Sequence, residues 1–206
     1  MPELKPYHHT DLRKTLLQAA VAAAQAIGPE RVSLREVARQ AGVSPTAAYR
    51  HFANHQALLE EVKHYALELL ADRVADALEA STARGSALQI ATTKLHIIWD
   101  EYIRFALEEP GLFRAALNNR VTPQVMPEVV NDRAYALLGD VMDAFIAAGG
   151  MPRVHKQQAQ LYMWAAMHGL AELCIHGPLA NLSRSEQRQL SEFAFEAMQK
   201  GITAPS

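Results

Sequence analysis

Apolar residues recur at every third or fourth position along almost the whole chain, and no stretch alternates apolar with polar. That spacing belongs to helices burying one face and leaves no material for a sheet-based core. Leu16, Ala20, Ala24 and Ile27 share one such face; Thr10 is its cap candidate, Asp11 follows in the first turn, and Gly28-Pro29 ends it. Leu34, Val37, Ala38 and Ala41 make a short second stripe that stops at Gly42. A third helix is expected from Ser44-Pro45 to about Phe52, and a long fourth from Asn54, with Leu58, Val62, Tyr65 and Leu69 as its stripe, fading near Ser81. Beyond Gly85 the pattern predicts helices at 86–108, 110–118, 124–148, 155–176 and 184–200. Their breaks are Pro110-Gly111, the region of Pro123 and Pro127, Gly149-Gly150-Met151-Pro152, and Gly177-Pro178. Pro127 is expected to kink or delay its helix, and Thr203 to Ser206 to fray. The fold class is all-α, with about nine helices: a three-helix head over 1–54 and a larger helical body over 55–206.

Half of the 206 residues are apolar, enough for a substantial core. The single cysteine, Cys174, rules out an intramolecular disulfide and a cysteine zinc cage, and a reducing, cytoplasmic setting is the simplest fit. No apolar run follows the first residues, and Leu16 to Ile27 is shorter than the roughly 20 residues that span a bilayer, so no membrane partner is expected. The net charge of −2 is uneven: residues 1–54 carry seven Lys/Arg and four Asp/Glu, leaving the remainder at −5. A basic head on an acidic body suits a protein that meets phosphates with one end.

Residues 33–52 carry the chemistry. Ser33 and Glu36 have capping-box spacing, Gly42 falls where a tight turn asks for positive φ, and Ser44-Pro45 is a strong helix start. Two helices of about two turns are too short to stand alone, so Val37, Ala38, Ala41, Val43, Ala48 and Phe52 must pack on the first helix. That is a helix-turn-helix. With Ala48 and Phe52 inward, Pro45, Thr46, Ala47 and Arg50 face outward, on a helix able to enter a major groove about 12 Å wide. Arg50 suits guanine O6 and N7; the methyls of Thr46 and Ala47 suit thymine methyls. Tyr49 and His51 flank this face and can reach phosphates, as can the free N–H groups at the helix starts near Ser33, Ser44 and Asn54.

At these positions the sequence resembles the TetR family, whose head pairs a [Ser/Thr]-x-x-x-[Ile/Val/Leu]-Ala segment with Gly-Val-Ser, Tyr-x-His-Phe and a long helix. The matching residues are Ser33 to Ala38, Gly42-Val43-Ser44, Tyr49-Arg50-His51-Phe52 and Leu58-Leu59. The resemblance implies a DNA-binding head on a ligand-binding, dimerising body. In one departure, the phosphate-facing position three residues after the Phe, usually Lys in the family, is His55. A narrower resemblance rests on Tyr7-His8-His9-x-Asp11-Leu12-Arg13, on Tyr102-Ile103-Arg104-Phe105-Ala106-x-x-x-Pro110-x-Leu112-Phe113, and on Trp164-x-x-x-His168-Gly169. It points to the subgroup named for its Trp-His-Gly signature.

In the body, Leu161, Tyr162, Trp164, Ala165, Met167, Leu170, Ala171, Leu173 and Cys174 wrap most of helix 155–176, which must therefore be covered all round. Leu190, Phe193, Ala194, Ala197 and Met198 stripe helix 184–200. The resemblance implies a homodimer through these two helices, and hence a near-palindromic operator in double-stranded DNA. It also implies a mostly apolar pocket for a small-molecule effector. Tyr65, His96, Trp99, Phe105, Phe113, Tyr135, Trp164 and His168 are the candidate ligand contacts, set against the plainer reading that aromatics at helical spacing are core. No His-Glu-x-x-His, phosphate-cradling glycine loop or Gly-x-Ser-x-Gly occurs, so no enzyme, cofactor or metal is expected. A protein-binding helical adaptor would account for the body but not for the basic head.

Overall fold

A computed structural model describes residues 9–117 and 133–203, and every regular element among them is helical. In chain order the α-helices are α1 (His9–Ile27), α2 (Leu34–Gln40), α3 (Pro45–Tyr49), α4 (His55–Glu79), α5 (Ala87–Glu108), α6 (Pro110–Leu117), α7 (Arg133–Ala147), α8 (Lys156–Ile175) and α9 (Arg184–Thr203). Short 3-10 turns lie at Pro29–Arg31 and Arg153–His155. The protein is all-α in its described residues, with a helix-turn-helix head, as its periodicity predicts. No described helix is long and apolar enough to cross a membrane.

Several boundaries differ from the periodic reading. Thr10 lies inside α1. α3 stops at Tyr49, three residues short of Phe52. Asn54 precedes α4 and caps it, its Oδ1 accepting from Ala57 N at 2.8 Å. The break before α6 is Glu109 alone; Pro110 begins that helix and Gly111 lies within it. Thr203 closes α9, its hydroxyl donating to the Gln199 carbonyl at 2.9 Å. Tyr7, His8, the proposed helix start at 124, Pro123, Pro127 and residues 204–206 lie outside the described residues.

The chain packs as two units, Met1–Ala66 with Glu109–Pro123, and Leu67–Glu108 with Gln124–Ser206. These follow packing, whereas the 54/55 division follows the motif: α4 gives its residues up to Ala66 to the first unit, and α6 joins it as well. The reason α6 does so is close contact with α1. A Cβ built at Gly111 would lie 2.1 Å from the Ala24 carbonyl oxygen, so only glycine lets these backbones meet. Leu16, Ala20, Ala24, Val37, Ala38, Ala48 and Phe52 fill the core of this unit. On α4 the buried row is Leu58, Val62, Ala66, Leu70 and Val74, spaced by four throughout. Steps of four drift around a helix, and that drift leaves Tyr65, expected in the stripe, 42% exposed.

In the second unit α5 is the most covered helix. Leu95, Ile98, Trp99, Tyr102, Phe105 and Ala106 are buried, and α7, α8 and α9 pack against it through Leu138, Met142, Phe145, Met163, Met167, Phe195 and Met198. Gln160, Gln187 and Trp99 have hydrogen-bond partners, as a water-excluding core demands. Gln160 donates to the Tyr135 carbonyl (2.8 Å), Gln187 to that of Leu179 (3.0 Å), and the Trp99 indole N–H to Ser191 Oγ (2.8 Å).

Candidate nucleic-acid interface

Three local devices set the reading helix. Ser33, in extended backbone, caps α2, its Oγ accepting from Glu36 N at 3.2 Å. The reciprocal half of the expected capping box does not form. The Glu36 carboxylate turns instead to Arg39, at 2.9 Å from Nε, and to Gln40 at 3.1 Å. The Arg39 guanidinium holds the Glu36 carboxyl down to about 2. α2 then ends in a Schellman turn: Gly42 adopts φ +70°, its N–H reaches the Arg39 carbonyl at 3.2 Å, and Val43 N–H reaches that of Ala38 at 2.9 Å. Ser44 restarts the chain, its Oγ accepting from Ala47 N at 3.2 Å, with Pro45 in the first turn.

The resulting α3 has one buried side chain, Ala48, and Phe52 is buried just beyond it. Ser44, Pro45, Thr46, Tyr49 and Arg50 are exposed, with Tyr49 at 47%. Ala47 and His51 are half-buried. Arg50 sits at the carboxyl-terminal cap of α3 and His51 in the turn after it, so neither lies on the helix itself. Ser33 and His55 are exposed at the starts of α2 and α4, where backbone N–H groups are free to meet phosphate. The exposed methyl and guanidinium groups of Thr46 and Arg50 are of the chemistry that reads base edges, and the hydroxyls of Ser33 and Tyr49 and the imidazole of His55 of the kind that meets phosphate.

Sequence reasoning gave Arg13 no role. Its guanidinium lies 4.7 Å from the centre of the Phe52 ring, donates to the His51 carbonyl at 3.0 Å, and pairs with Glu61 at 2.7 Å. One side chain of α1 thus ties the exit of α3 to the first turns of α4. The available signal was its place in the Asp11-Leu12-Arg13 segment, but nothing in the sequence names its partners.

The eight candidate ligand contacts fall in both units. Tyr65 and Phe113 belong to the first unit and the other six to the second. Trp99, Phe105 and Phe113 are fully buried, Tyr65 is exposed, and Tyr135 and Trp164 are half-buried. His168 stacks on Trp164 (5.6 Å) and its Nδ1 lies 3.1 Å from the Tyr102 hydroxyl; burial pushes its pKa down. His96 faces Glu192 at 2.8 Å. On α8 and α9, Leu161, Tyr162, Leu173, Leu190 and Phe193 are exposed, Phe193 at 71%. Met198, expected in the same α9 stripe, is buried.

Comparison with known proteins agrees with this geometry. Residues 16–62 match the model of bacterial regulatory proteins of the tetR family, and residues 95–198 match the tetracyclin repressor-like C-terminal domain. An uncharacterised HTH-type transcriptional regulator of Bacillus subtilis is 28% identical over 126 residues, 61% of this chain and 61% of that one. A second, from Haemophilus influenzae, is 33% identical over 86 residues, 42% of this chain and 38% of that one. The matches thus span less than two thirds of either relative. Among solved structures, a protein of unknown function from Rhodococcus sp. RHA1 superposes with TM-score 0.78 at 27% identity, covering 98% of this chain and 100% of that one. A regulatory protein of the tetR family from Rhodococcus RHA1 shares the fold, with TM-score 0.65 at 14% identity over 95% of this chain and 98% of that one. With both the reading head and half of the chain's length accounted for, the protein belongs to the TetR family of DNA-binding transcriptional regulators.

Proposed function

We propose that the chain is a ligand-responsive repressor that binds a near-palindromic operator as a homodimer and is released by a small, largely apolar effector. Residues 1–54 serve as its DNA-binding head, 55–206 as the effector-binding and dimerising body, and it works in the cytoplasm. Within the family, Trp164, His168 and Gly169 favour the Trp-His-Gly subgroup. One arrangement carries the reading: Pro45, Thr46, Tyr49 and Arg50 exposed on a turn and helix anchored by buried Ala48 and Phe52.

The exposed apolar residues of α8 and α9 support the dimer, since a soluble chain rarely leaves such side chains clustered without a partner. A two-fold axis through them presents two reading helices to half-sites about 34–36 Å apart, or a multiple of it. An effector that prefers one spacing of the heads over the other releases the DNA by that preference. His96, Trp99, Phe105, Tyr135, Trp164 and His168 of the body, with Tyr65 and Phe113, remain the candidate contacts.

A gel shift with the DNA upstream of the protein's own gene tests the reading. Binding that is specific and weakens steeply with salt is expected. Equal binding to scrambled DNA of the same length would refute it.

A further inference from the structure

In the second unit, the carboxyl-terminal half of α5 and the first half of α9 run antiparallel, pinned together at two places. At one end Arg184 donates to the Leu107 carbonyl at 2.8 Å. At the other, Trp99 donates to Ser191 Oγ at 2.8 Å, and His96 pairs with Glu192 at 2.8 Å. Between the pins the helices stay apart, leaving a cleft of about 460 Å3, within the range of small-molecule sites. Ile103 and Leu107 give it an apolar floor, and Arg104 and Arg188 line its walls.

Most charges around the cleft are already engaged. Arg104 pairs with Glu101 at 2.7 Å, Glu108 with Arg73 at 2.7 Å, and Glu192 with His96. Arg188 makes no hydrogen bond or ion pair among the described residues. It acts through space on Asp100, whose carboxyl is pushed up chiefly by burial. Among the described residues, Arg188 thus brings a guanidinium with no hydrogen-bond or ion-pair partner over an apolar floor, while Arg184 is held by the Leu107 carbonyl.

We propose that this cleft holds a small organic acid, with its single carboxylate on Arg188 and its aliphatic part along Ile103 and Leu107. A carboxylate and a guanidinium can pair through two parallel hydrogen bonds. A monoanion matches the unpartnered Arg188 guanidinium, whereas a dianion such as phosphate would bring a second negative charge against Glu108 and Glu192. A divalent cation is the rival occupant, because His96, Asp100 and Glu192 offer ligand atoms within 4.8 Å of one another. Two observations favour the acid: both ring nitrogens of His96 already face carboxylates, and Arg188 borders the same space. Arg188 lies roughly 140–180° around α9 from Leu190, Phe193 and Ala197, so a dimer formed through that stripe leaves the cleft open. The proposal rests on the effector reading above for its regulatory meaning, though not for binding itself.

Calorimetric titration of the full chain with octanoate tests it, with octanol, octylamine, inorganic phosphate and zinc chloride as comparisons. Octanoate is expected to bind at least tenfold more tightly than any of the others. Arg188→Gln should weaken octanoate at least tenfold without moving the thermal midpoint, and Arg188→Glu should turn the preference toward octylamine. No binding of octanoate, equal binding by wild type and both variants, or binding of zinc or phosphate in its place would overturn the proposal. A gel shift separates this from the regulator reading. If octanoate binds through Arg188 yet leaves operator binding unchanged, the site stands and its role as the effector site falls.

Discussion

Arg50 and Glu36 show how much one side chain can decide in the head. Arg50 is exposed at the end of α3, and its guanidinium suits a bidentate pair with guanine. Replacing it with alanine is expected to cost roughly 1–3 kcal/mol of operator binding and to relax preference at one base pair, which a gel shift against single-base operator variants would read. An unchanged profile would remove Arg50 from the reading set. Glu36 acts on the fold instead. Its folded-state pKa, held to about 2 by Arg39, lies below the ordinary value of 4.5. Its ionised form is therefore favoured by folding; the contribution is complete above 4.5 and is lost as pH falls toward 2. The gap in Tm between wild type and Glu36→Gln should narrow between about pH 5 and about pH 3; a constant gap would mean that the pair contributes nothing.

Among the helices, the features written in local chemistry were legible in the sequence, and those set by contacts between distant segments were not. Ser33, Gly42 and Ser44 act within four or five residues of themselves, and each adopts the capping or turn role its type predicts. Gly111 looks the same on paper, a glycine after a proline, but its reason lies some ninety residues earlier, in the backbone of Ala24. The failure at Tyr65 is of this kind too: spacing alone allowed the α4 stripe to pass through 65 and 69, and packing chose 66 and 70. Residue type marks the ligand candidates, and residue type does not say which aromatic faces a cavity. The two glycines should separate under mutation. Nothing lies within 4 Å of a Cβ at Gly42, so Gly42→Asn, tolerant of positive φ, should cost under about 1 kcal/mol. Gly111→Ala has a carbonyl in its way and should cost at least 1–3 kcal/mol by overpacking. Urea unfolding measures both; equal costs would mean that the α1–α6 contact is loose.

For the whole molecule, the question is what covers the outer faces of α8 and α9. Each helix turns one side into its own unit, through Met163, Met167, Ala171 and Cys174 on α8 and through Ser191, Phe195 and Met198 on α9. The other side still carries Leu161, Tyr162, Leu173, Leu190 and Phe193. Phe193 is 71% exposed, so changing it leaves the core of the chain intact, and any effect on assembly reports on the face itself. In a two-fold interface one substitution acts twice. Removing two buried phenylalanines forfeits roughly 1.5–3 kcal/mol each, and two carboxylates brought into an apolar contact cost more. Phe193→Asp should therefore weaken self-association by at least about a hundredfold and sediment as a monomer at micromolar concentration, with an unchanged helical circular dichroism signal. Its operator binding should fall with it, because a single head gains nothing from the second half-site. A variant that stays dimeric and still binds DNA would move the two-fold axis to some other surface, and the half-site spacing with it.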